Sequence, residues 1–205
     1  MSRAHVVFKR NIAEAKQLSA LHNYLCSRVQ LPMSHDDILR AQLVNCVSAF
    51  DKLIHDLILD GVLEIYLGRK NSTSKYLNEV LPLNTYLRMQ AATIPPPEYF
   101  FKEAMFSKLK TISYQDPSKI ADGLSYIWEE SHKWVKIANE MGMSDEDVKK
   151  NLKLIATRRN SIVHEADLHP ITHVKLDIDS PTVNLNSNFI EACGDAIEKL
   201  VSHCI

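Results

Sequence analysis

Between Ile38 and Ile58, residues Ile38, Ala41, Val44, Val47, Ser48, Asp51, Ile54, Leu57 and Ile58 recur at helical steps and trace one long, mostly apolar face. A helix of this length cannot bury such a face by itself, so the chain must fold as a helical bundle. Ser34 is a good N-cap for it, Asp36 and Asp37 suit a positive helix N-terminus, and Gly61 or Gly68 is expected to end it.

The rest of the chain supports an all-α, up-and-down bundle. An earlier helix is expected over residues 3–28, with Ile12, Ala15, Leu18, Leu21 and Leu25 on one stripe and "QLPMS" as its break. Shorter helices follow over 74–91 and 98–110, separated by a proline-rich insertion at 92–98, because "TIPPPEY" cannot lie inside a helix. Pro117 opens a helix carrying Trp128 and Trp134 to about residue 140, with Gly142 after it. Both tryptophans read as core, since Ile127, Ser131, Val135 and Ala138 continue their face. Ser144 caps the next helix, and Asp145, Glu146 and Asp147 lie in its first turn. Residues 168–186 look irregular, with a short strand at "HVKLDID". A last helix spans 187–205, with Phe189, Ile190, Cys193, Ile197, Leu200 and Val201 on one side. With no internal repeat, residues 1–205 read as a single domain.

Composition removes several function classes. Only five glycines are present, and neither G-x-x-x-x-G-K nor G-x-G-x-x-G occurs, so glycine-cradled nucleotide sites are not expected. The net charge of −1 confines any nucleic-acid binding to a local patch. Cys26, Cys46, Cys193 and Cys204 form no C-x-x-C and read as free thiols in a reducing cytoplasm. The opening "MSRAHVVFKR" has no apolar core of signal-peptide length, and no run reaches the roughly 20 apolar residues of a membrane span, so a cytoplasmic protein is expected. Pro170 interrupts the spacing of His164, His169 and His173, and no H-E-x-x-H is present. No metal or other cofactor is therefore expected. Ser161 and His164 lack a G-x-S-x-G elbow.

The most polar stretch is "LIATRRNSIVHEADLHP", residues 154–170. From Lys149 to Arg159 there are five cationic residues and no acidic one. Leu152, Ile155, Ile162 and Val163 should anchor this helix, leaving Arg158, Arg159, Asn160 and His164 on a rigid support near the surface. Arginine matches two phosphate oxygens at once, and histidine exchanges protons near neutral pH. Together they suit cleavage of a phosphodiester by a neighbouring ribose hydroxyl. Arg159 and His164, five positions apart, differ by about 140° around a straight helix. Either the helix frays near His164, or the pair works with groups from elsewhere, such as a second copy of the chain. The plainer alternative is a helix end in which the arginines meet terminal carbonyls and His164 bonds Asp167 or Glu165.

"RNSIVH", Arg159 to His164, resembles the R-x4–6-H motif of the HEPN superfamily, with Asn160 as the polar residue after the arginine. "LIATRRNSIVHEAD", "RAQLVNCVSAFDKLIHDLI" and "DPSKIADGLSYIW" together resemble the RiboL-PSP type of HEPN domain, over residues 34–170. The resemblance implies a homodimer whose two motifs face each other. It also implies a metal-independent endoribonuclease of toxin–antitoxin, phage-defence or RNA-processing systems, or a silent module binding RNA, nucleotide or protein. An antitoxin or nucleotidyltransferase-like partner fits the same setting. Carried over, Arg159 contacts the scissile phosphate, His164 acts as acid or base, and Asn160 orients one of them. Arg158 offers an alternative R-x5-H register and, with Lys149, Lys150 and Lys153, is an expected RNA contact. Asp51 and Glu165 are expected behind the site. The proline-rich insertion is expected to select substrate or partner.

Overall fold

A computed structural model describes residues 1–29 and 32–202. Part of the "QLPMS" break, Cys204 and the last three positions expected of the final helix lie outside them. Helix α1 (Arg3–Tyr24) is capped by Ser2, whose Oγ accepts from His5 N at 3.1 Å. It buries Ala4, Phe8, Ile12, Ala15 and Ser19, and a π-helical turn (Leu25–Val29) extends it. Helix α2 (Asp36–Tyr66) is the axis of the bundle, at 31 residues or about 46 Å. It passes through Gly61 and stops at Leu67, where Gly68 takes a φ of 70°.

The buried surface of α2 is broader than one stripe. Leu39, Leu43, Cys46, Phe50 and Leu53 are buried beside Val47, Ile54, Leu57 and Ile58. Ala41 and Ser48, expected on the buried face, instead join Asn45 and Lys52 on an exposed seam. The reason is packing on several sides: α1, α5, α6, α8 and α9 all lie against α2.

The expected helix over 74–91 is two, α3 (Ser74–Leu77) and α4 (Leu83–Ala91). Pro82 stands at the break, where its ring and missing N–H prevent a continuous helix. The proline-rich turn contains a cis Ile94–Pro95 peptide and leads into α5 (Pro97–Leu109). The helix expected from Pro117 to about 140 is also two, α6 (Pro117–Leu124) and α7 (Lys133–Met141). Between them, Thr73 Oγ1 donates to the carbonyl of Tyr126 and Glu129 accepts from Ser74 N, so contacts from a distant loop replace helical ones. Trp128 is buried and Trp134 half-buried, as expected of core. Gly142 closes α7 with a φ of 65°.

Helix α8 (Asp145–His164) begins at the Ser144 cap. After it the chain forms no strand among the described residues, only an isolated antiparallel bridge between Leu168 and Lys175. Helix α9 (Ser180–Ser202) starts seven residues before position 187, where the sequence reading placed it. Asp179 caps it by accepting from Thr182 N at 2.8 Å. Cys26, Cys46 and Cys193 are free thiols, and no helix among the described residues is long and apolar enough to cross a membrane.

A close helix contact lies at Gly194 on α9, where an added Cβ would fall 2.4 Å from the Phe8 ring and 3.0 Å from Leu53 Cδ2. Alanine there would add up to ~1 kcal/mol of helix propensity against its clash. Valine adds volume and loses most of that gain. Gly194→Val is expected to cost about 2–3 kcal/mol and lower Tm by roughly 4–10 °C in a chain of this size. Calorimetry checks this, and an unchanged Tm would refute the close contact.

Candidate active site

The site is built on α8. Ser144 Oγ accepts from Asp147 N at 3.1 Å, and Asp145, Glu146 and Asp147 face the positive end of the helix dipole. Val148, Leu152 and Ile155 seat the helix in the core, and Ile162 packs against it. Val163, expected as a further anchor, is 45 % exposed. The helix stays regular through His164, whose successor Glu165 is the C-cap. Fraying near His164 is thus ruled out as the way its side chain and that of Arg159 come together.

Lys153, Ala156, Thr157, Arg159, Asn160 and His164 form one wall of a groove of about 580 Å³. Ser113, Gln115, Asp116 and Lys119 form the other, from the loop before α6 and its first turn. Taking Lys153 as origin, Thr157, Asn160 and His164 fall within about 40° of it around the axis, while Arg159 lies about 120° away. Arg159 still lines the groove because its side chain is long. Its Nη1 donates to Asn160 Oδ1 at 3.1 Å, and its buried Nε has no hydrogen-bond partner among the described residues. Asn160 is thus in direct contact with the arginine on the groove wall.

The groove carries the cations of Lys119, Lys153 and Arg159 against a single carboxylate, Asp116. That carboxylate is occupied: it caps α6, accepting from Ser118 N at 2.8 Å and from the Ser118 hydroxyl. The Ser118 hydroxyl bond holds the Asp116 carboxyl below its ordinary range against a desolvation that would raise it, with the Ser118 and Lys119 amides and Lys153 assisting. The groove thus presents three cations and an exposed imidazole, and its one anion already has donors. Such a surface suits a chain of phosphates.

The RiboL-PSP-HEPN family model matches residues 9–203. The chain belongs to the RiboL-PSP-HEPN family. The match reaches well beyond the 34–170 span over which motifs are recognisable by eye, and it takes in α1 from residue 9 onward and the whole of α9. No curated protein and no solved structure matches the chain.

Within this RiboL-PSP-HEPN bundle, the two adjacent arginines point to different places. Arg159 lines the groove, while Arg158 turns inward, its Nη2 donating to Asp167 Oδ2 at 2.8 Å and to the Asp177 carbonyl at 2.9 Å. Arg158, expected as an RNA contact, thus lies off the groove, with its Nη2 serving internal acceptors. This placement sets the R-x4-H spacing, not R-x5-H, on the groove. Asp167 bonds the arginines, not His164, so the plain helix-end arrangement is not the one adopted.

Of the three lysines expected as RNA contacts, Lys149, Lys150 and Lys153, only Lys153 lines the groove. Lys149 pairs with Asp145 at 2.7 Å, a bond that holds the Asp145 carboxyl below its usual range, and Lys150 is exposed elsewhere on α8. Asp51 lies behind the opposite wall: its Oδ1 accepts from Tyr114 N, beside Ser113. Glu165 is exposed at the helix end. His169 shapes a turn, its Nδ1 accepting from Ile171 N and Thr172 N, and no group of three or more metal-binding side chains occurs among the described residues.

Sequence reasoning missed Lys119, Gln115 and Thr157. Thr157 was findable, since positions 153, 157, 160 and 164 share a helical face. Lys119 and Gln115 come from a different element, and no local spacing joins them to α8.

Proposed function

We propose that this chain is a metal-independent endoribonuclease that works as a homodimer. The observation carrying the reading is one groove lined by Arg159, Asn160 and His164 together with Lys119 and Lys153. Membership of the RiboL-PSP-HEPN family supports it. The ribose 2′-oxygen attacks phosphorus and gives up its proton, and the bond from phosphorus to the 5′-oxygen breaks. The leaving oxygen takes a proton, giving a 2′,3′-cyclic phosphate and a 5′-hydroxyl. His164 moves one of these protons, and Arg159, held by Asn160, stabilises the charge gathering on the phosphoryl oxygens. Lys119 and Lys153 hold flanking phosphates. A second copy supplies the other proton-moving histidine. The setting is a toxin–antitoxin, phage-defence or RNA-processing system, with an antitoxin or nucleotidyltransferase-like partner restraining the activity in the cytoplasm.

Purified protein with EDTA should cut RNA into fragments ending in cyclic phosphate. Expression of the wild type in a bacterium should slow growth and degrade total RNA, and expression of Arg159→Ala should do neither. Intact RNA in both assays rejects the enzyme.

The three groove cations also favour a second reading, a silent module that binds RNA. Single-strand binding loses about 0.7 in the logarithmic salt slope per phosphate contact, so three contacts predict a slope of about −2 per groove. Lys153→Ala should make it shallower by about 0.7. Filter retention across salt concentrations measures the slope. Retention with this slope and no product selects the module, and a slope unmoved by Lys153→Ala removes Lys153 from the interface.

A further inference from the structure

We infer that Asp167, clamped between Arg40 and Arg158, is a positioning residue that sets where α8 ends and so where His164 stands in the groove; this rests on the proposed nuclease reading.

The chain leaves α8 by an unusual route. The Ser161 carbonyl accepts from both Glu165 N at 2.9 Å and Asp167 N at 3.0 Å. Ala166 and Asp167 then take φ values of 53° and 57°, two successive non-glycine residues in the left-handed region. Side chains with a Cβ resist this conformation, so other contacts must impose it.

The Asp167 side chain provides them. It is 0 % exposed, and its Oδ2 receives Arg40 Nε at 2.7 Å and Arg158 Nη2 at 2.8 Å. Arg40 belongs to α2, the axis of the bundle, and Arg158 to α8 itself. The same guanidiniums grip the returning chain: Arg40 Nη2 donates to the Leu176 carbonyl at 2.6 Å, and Arg158 Nη2 to that of Asp177. Leu176 N closes the loop by donating to the Asp167 carbonyl at 2.8 Å. The helix end, the turn after it and the returning segment are therefore tied to α2 through one carboxylate. His164 stands three residues before that carboxylate.

A purely stabilising role explains this cluster poorly. Burying charges is expensive, and buried ion pairs can often be exchanged for apolar residues without loss. Asp167 Oδ1 is buried with no hydrogen-bond partner among the described residues, an added cost. Arg40 spreads its planar fork over Asp37, Asp167 and the Leu176 carbonyl, and Arg158 Nη2 meets the same Asp167 oxygen; such fixed donors supply direction, which an apolar plug does not. The adjacent arginines thus divide the labour: Arg158 fixes the frame from inside, and Arg159 works on the groove side.

The test compares Arg158→Lys, Asp167→Asn and Ala166→Gly with wild type. Arg158→Lys keeps the charge and loses the fork, so it carries the test if Asp167→Asn does not fold. Misplacement of a reacting group by 1 Å can cost ~100-fold in rate. Arg158→Lys should therefore lower kcat by about tenfold or more, with KM changed by less than about threefold. In NMR spectra the ring signals of His164 should move while those of His55 stay in place. Ala166→Gly relaxes the turn and keeps the clamp, so its kcat should match wild type. A folded Arg158→Lys with wild-type kcat and unmoved His164 signals overturns the inference, even if its Tm falls. If the wild type cuts no RNA, the nuclease reading fails by itself. The His164 signals then decide the clamp alone: displaced, it stands; unmoved, it falls.

Discussion

His164→Ala is expected to reduce RNA cleavage by ~10²–10⁴-fold, the range supplied by a positioned acid or base, while leaving the fold intact. The second half follows from placement. His164 is exposed at the end of α8, and the residues seating that helix are Val148, Leu152 and Ile155. Truncating an exposed side chain should change stability by no more than about 0.5 kcal/mol. Arg159→Ala should reduce cleavage too. Arg159→Lys should not restore it, because an ammonium lacks the planar fork that spans two phosphoryl oxygens. Arg158→Ala differs from these in lowering Tm as well as cleavage, since it leaves Asp167 with one fewer partner. Gel assays for cyclic-phosphate products, run beside thermal melts, separate the effects. If His164→Ala cuts as fast as wild type, the groove is not a nuclease site.

The sequence showed which residues meet at the groove better than it showed which support it. Arg159, Asn160 and His164 were legible because one motif on one helix carries them all. Ser144, the acidic first turn and Gly142 marked the neighbouring ends by local chemistry, and the structure places the caps there. Arg158 read like its neighbour because nothing within a helical turn distinguishes them. Its partner Asp167 is reached only through two left-handed residues, and Arg40 lies 127 positions from Asp167 in sequence. The break between α6 and α7 was hidden for a similar reason: no proline or glycine marks residues 125–132, and the groups that interrupt the helix come from Thr73 and Ser74. By contrast, the divisions at Pro82 and before α9 had local signals in Pro82 and Asp179. The long apolar pattern of α2 was outweighed by tertiary packing, since a helix enclosed by five others keeps only a narrow seam for water.

That enclosure predicts the largest stability effect. Phe50→Ala is expected to cost about 3–5 kcal/mol, as removal of a fully buried aromatic ring usually does. Phe50 is 1 % exposed near the middle of α2, and its ring meets Phe8 of α1 edge to face at 6.5 Å between centroids. The ring lies where α1 and α2 pack, so its loss leaves a cavity and also removes an aromatic contact. Domains are typically stable by only 5–15 kcal/mol, so this is a large part of the total. Phe106→Ala is the control: its side chain is 54 % exposed, and the change should stay near 0.5 kcal/mol. Urea unfolding followed by far-UV circular dichroism should show a much lower midpoint for Phe50→Ala at an unchanged slope. Equal midpoints for the two variants would mean that α2 is not the buried axis. The support for the Arg40–Asp167–Arg158 clamp would then be lost with it, because Arg40 reaches Asp167 from that helix.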